Sequence, residues 1–145
     1  MNSYPKSLLK FSDAPDVSLS INDVPSNFFA FPVKYEGNYW DYTTSFSSYN
    51  TPPTLSPLVK SVIYPYSSID EAKNGFTNAR SVDSQKIDLI SASVGEESYG
   101  YVYRSPDSVV VFRNKNLVVR IEYRSLEIND ALKYANIVNE KINKK

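Results

Sequence analysis

A chain of 145 residues can remove roughly 70% of its unfolded surface from water in one domain, so one self-sufficient core is expected and a second domain is not. Sixteen basic residues cancel sixteen acidic ones, which removes the electrostatic case for a nucleic-acid or anionic-lipid partner. The absence of Cys and His excludes disulfides, thiolate metal sites, typical zinc centres and serine–histidine or cysteine–histidine catalysis.

The aromatic content is skewed, with 12 Tyr and 7 Phe against one Trp, and rings of that kind favour sheet. Residues 1–16 carry Pro5 and Pro15 without a sustained period and read as an N-terminal arm, leaving 17–145 as a single domain. Ser7 and Lys10 match a Ser-x-x-Lys acyl-enzyme pattern, but its supporting segments are missing, so the match reads as chance. Val17, Leu19 and Ile21 alternate with serines, the spacing of a half-buried strand. A second strand is expected over Phe28–Tyr35 with a break at Pro32, and a third around Tyr39, Trp40, Tyr42 and Phe46, giving a β-meander. Three prolines in Tyr49–Pro57 make that stretch a loop.

Leu58–Tyr66 reads as a strand, with Val59 and Ile63 on one face and Lys60, Val62 and Tyr64 on the other. Ser68-Ile69-Asp70-Glu71 is a capping box that opens a helix over about 68–80, striped by Ile69, Ala72, Phe76 and Ala79. Gln85–Ser93 reads as a strand, followed by Glu97–Arg104, where Tyr99, Tyr101 and Tyr103 share a face. A hairpin follows, with Asn114-Lys115 as its central residues, so that Phe112 faces Leu117 and Val110 faces Val119. Ile128, Ala131, Leu132, Ala135, Val138 and Ile142 then form the stripe of a closing helix over about 126–143. The expected class is α+β: a largely antiparallel sheet of about six strands packed with two helices.

The succession Val94-Gly95-Glu96-Glu97-Ser98-Tyr99, then Val110 through Ile121, then a helix ending near Ile142, resembles a group of uncharacterised extracytoplasmic, often lipid-anchored prokaryotic domains. Those domains usually carry Asp where Glu96 stands and Gly where Lys115 stands, so Asn116 is expected to take the left-handed turn conformation here. The layout is also similar to the α/β sandwiches of the photosystem accessory protein PsbP and of the nuclear-import adaptor that binds the GTPase Ran, both binding proteins.

Four glycines, at 37, 75, 95 and 100, form neither a phosphate loop nor a dinucleotide fingerprint, so no cofactor is expected. Glu96 and Glu97 would point to opposite strand faces and read as a solvated strand entry rather than a hydrolytic pair. Asp13, Asp16 and Asp23 read as turn formers, and no metal site is expected. Arg104, Arg113, Lys115, Arg120 and Arg124 read as a solvated face. The ligand-binding candidates are therefore aromatic: Tyr39, Trp40 and Tyr42 beside the proline loop, and the ladder Tyr99, Tyr101 and Tyr103, with core packing the competing reading for both groups. Of the two, the stretch from Tyr39 to Pro57 is the better site candidate.

The expectation is a non-catalytic cell-envelope domain binding an unknown protein or small molecule. No run spans a bilayer, so any membrane attachment would come through a segment upstream of Met1. The alternatives are an intracellular adaptor of the Ran-binding kind and, third, a carboxylate-based hydrolase.

Overall fold

The computed structural model describes residues 8–33, 41–49, 57–103 and 107–145. Six strands, β1 (Phe28–Ala30), β2 (Tyr42–Ser48), β3 (Val59–Pro65), β4 (Glu97–Tyr103), β5 (Asp107–Asn114) and β6 (Leu117–Tyr123), form one sheet in the order β1-β2-β3-β6-β5-β4. Every neighbouring pair is antiparallel. The fold is α+β, with helices α1 (Ala14–Val17), α2 (Ile69–Ser84) and α3 (Ile128–Asn143).

Strand alternation builds two cores. Val59, Ile63, Val110, Phe112, Val119 and Ile121 face α3, whose Ala131, Tyr134, Ala135, Val138 and Ile142 are buried against them. Tyr99, Tyr101, Val109, Val111 and Val118 point the other way and receive Ala72 and Phe76 of α2. That two-sided burial explains why β5 is buried along nearly its whole length and carries the unbroken apolar run Val109–Phe112.

Helix α2 begins at the expected cap: the Ser68 hydroxyl oxygen accepts the Glu71 N–H at 3.0 Å. The reciprocal half of the box is replaced, because the Glu71 carboxylate accepts from the Ser67 hydroxyl. The helix leaves β3, crosses the sheet and delivers the chain to the far edge, from which β4-β5-β6 returns to pair with β3. Gly75 lies where Tyr66 packs onto α2; a Cβ there would run into the Tyr66 phenol.

Several expectations are corrected. Residues 17–21 are not a strand: the chain runs through a 3-10 turn at Phe11–Asp13, α1, and a second 3-10 turn at Ile21–Asp23. Pro15 suits the first turn of α1, while Asp13 and Asp23 accept the N–H groups of Lys10 and Ser20, closing each turn. Both Val17 and its neighbour Ser18 are buried while Ile21 is exposed, so the apparent alternation is accidental. The stretch read as an arm is part of the fold from residue 8 onward, with Leu9 and Ala14 in the core. Residues 85–93 contribute one bridge, Ile90 to Gly100, in place of a strand.

The 114–117 hairpin loop is centred on Lys115-Asn116, pairing Phe112 with Val119 and Val110 with Ile121. Faces are preserved because the turn centre moves by one residue and the cross-strand pairing by two. Lys115, not Asn116, takes positive φ, at 55°.

Candidate functional site

One half of the α2 side of the sheet is not covered by that helix. Strand β2 sends Tyr42, Thr44 and Phe46 toward α3, so Thr43 and Ser45 face the other way, followed across the sheet by Lys60, Val62 and Tyr64 of β3 and Arg120 and Glu122 of β6. These side chains, with Phe31, Pro32, Asp41 and Pro57, line a cleft of about 430 Å³. A smaller gap of about 140 Å³ continues under α2 and shares Tyr64 and Arg120 with it.

Arg120 is the hinge between cleft and core. Its Nε donates to Glu122 at 2.9 Å, Nη2 donates to the Tyr101 hydroxyl at 2.8 Å, and Nη1 lies 3.9 Å from Asp83. The guanidinium also sits 5.9 Å from the Tyr101 ring centre. Burial alone would lower its pKa, but Glu122, the Tyr101 phenol and Asp83 outweigh burial and raise it, so the group is a fixed cation. Lys60 lies 3.6 Å from the same Glu122 carboxylate.

The phenols shift further from neutral pH. Burial raises Tyr101 to about 12, with Arg120 opposing and Asp83 adding to the rise. Burial and its 2.7 Å hydrogen bond to Asp83 push Tyr99 up further. Tyr64 is raised by burial and then by the Asp41 carboxylate. These hydroxyls stay protonated and serve as donors and acceptors.

The sequence-predicted candidates are divided by the fold. Tyr39 and Trp40 lie outside the described residues. Tyr42 is buried on the α3 side, edge-on to Phe11 at 6.4 Å between ring centres. Tyr99 and Tyr101 are 1% and 0% exposed beneath α2, with Tyr99 packed on Phe76 at 5.5 Å, so these two rings are core and do not present a ligand face. Tyr103 is half-buried at the ladder's outer end, bordering a shallow depression near Gln85–Asp88.

The carboxylates at the β4 entry are also redirected. Glu96 precedes the strand after Gly95, whose φ is +66°, and it joins Glu97 on one guanidinium: Arg113 lies 3.5 Å and 2.5 Å from them. Arg113 is buried, whereas a solvated position was expected of it.

The strand pleat puts Lys60, Val62 and Tyr64 on one face, but nothing local in the sequence joins them to Asp41, Thr43, Ser45 and Glu122. The available signal was the polar alternation Thr43, Ser45 and Lys60 on strands whose opposite faces are apolar or small.

No known family profile matches the chain, and no curated protein matches it. Among solved structures, a GTP-binding regulator from Thermotoga maritima is similar in fold, with a TM-score of 0.55 at 14% identity over 95% of this chain and 93% of that one.

Proposed function

We propose that the chain is a non-catalytic binding domain of the cell envelope whose ligand site is the cleft over β2, β3 and β6. The observation that carries this reading is the combination of a cleft of about 430 Å³, within the size range of small-molecule sites, with polar walls whose basic groups are held by structural contacts. Arg120 and Lys60 are held by Glu122, which favours recognition over proton transfer. The envelope location rests on the resemblance of the β4–β6 segment to extracytoplasmic domains.

The experiment has two arms. Cell fractionation with an antibody to the chain is expected to place it outside the cytoplasm; a purely cytosolic signal overturns the location. Screening a polar-metabolite library by amide chemical shifts is expected to move Thr43, Lys60 and Val62 together, and hits that never touch these residues overturn the site.

A second reading, an intracellular adaptor acting with a GTPase, is favoured by one observation: the neighbour in fold is described as a GTP-binding regulator. Under that reading, affinity capture from the cytosol returns a GTPase, and a capture that returns none counts against it.

A further inference from the structure

Among the described residues, the charges around the cleft balance except at one corner. Lys60 and Arg120 are matched by Glu122 and Asp83 at separations of 3.6, 2.9 and 3.9 Å. Asp41 stands outside this network, with no ion pair among the described residues, and its Oδ1 is buried without a hydrogen-bond donor. A carboxylate oxygen shut off from water and lacking a donor is among the costlier arrangements a fold can keep. The same carboxylate borders the cleft, beside the aromatic walls of Phe31 and Tyr64.

We infer that the cleft takes a small organic monocation, an amine or guanidinium on an apolar body, with its charge against Asp41 and its body along Phe31, Pro32 and Val62. This rests on the reading of the cleft as the ligand site. One positive charge restores neutrality, and aromatic walls favour it further. An anion finds both basic groups already matched. A divalent metal is disfavoured because the described residues hold no group of three ligating side chains. The cleft volume suits a compact molecule, and a whole protein surface would need far more area.

The test uses the full chain, isotope-labelled, titrated with phenethylamine, its neutral analogue 2-phenylethanol and its anionic analogue 3-phenylpropanoate. The amine is expected to shift the Thr43 and Val62 amides saturably, with the other two at least about tenfold weaker, a factor equal to about 1.4 kcal/mol. Asp41→Asn should weaken the amine at least about tenfold. It should melt at or above the parent temperature, because it removes a desolvated charge. Thr43→Lys, which sets an ammonium two residues along on the same strand face, should abolish amine binding independently.

Equal binding of all three probes, or undiminished amine binding in both variants, overturns the monocation while leaving the cleft as the site. Shifts elsewhere, or none with any probe, overturn both. Tighter binding of Nα-acetyl-lysine methylamide than of phenethylamine would overturn the small-molecule source in favour of a protein side chain.

Discussion

Replacing Asn116 by Ala tests whether the N-terminal stretch belongs to the core. Asn116 is 1% exposed and its side chain makes three hydrogen bonds of 2.8 Å: Oδ1 accepts the Leu9 N–H, and Nδ2 donates to the carbonyls of Leu9 and Tyr66. Truncation leaves one N–H and two carbonyls without partners where water is largely excluded. At roughly 1 kcal/mol each, the low end for buried orphans, the loss is about 3 kcal/mol. For a domain of this size that lowers Tm by about 10 °C.

Asn116→Asp is the sharper variant. It keeps Oδ1 but turns the second contact into an acceptor facing two acceptors, so at pH 7 it should cost more than Ala. Its carboxyl pKa is then raised by folding, so the penalty is present at high pH and relieved as pH falls and the acid regains a proton to donate. Urea melts at pH 7 and pH 5 measure both. A loss below 1 kcal/mol for Ala, or an Asp variant at least as stable as Ala at pH 7, would refute the claim that this side chain ties residues 8–17 to the sheet.

Burial opposes ionisation of Asp23, but its contact with Lys141 at 2.6 Å and the Ser20 N–H outweigh burial and hold its carboxyl below the usual range. A pKa lower in the folded than in the unfolded state contributes stability that is full above about pH 4 and lost as pH falls through the folded value. Denaturant melts from pH 7 to pH 2 should show that loss, and Asp23→Asn should flatten it. Phe76→Ala empties the centre of the α2 core, where the ring is 1% exposed, and should cost about 3–5 kcal/mol in urea unfolding. Gly95→Ala places a Cβ 2.6 Å from the Arg113 carbonyl oxygen at a φ of +66° and should cost about 1–3 kcal/mol, measured the same way.

Local grammar carried much of the fold. The Ser68 cap, the α3 stripe and the β4–β6 alternation depend on contacts between residues close in sequence, and each is present where its period places it. The 17–21 stretch mimics a strand because a period-2 pattern of Val, Ser and Leu also arises when a short helix and its exit bury consecutive residues. The tyrosine ladder was legible as one face, but not which helix would close over it.

The amino-acid order by itself determined which side chains share a strand face, since that follows from the pleat, and so which could line a common surface. Which part of that surface stays open was decided only by tertiary structure. A helix about 10 Å across cannot cover six strands spaced about 4.8 Å apart. Once β3 pairs with β6, α2 lies over the β4–β6 half and Asp41, Thr43, Lys60 and Glu122, drawn from three strands distant in sequence or their approaches, are left around one cleft.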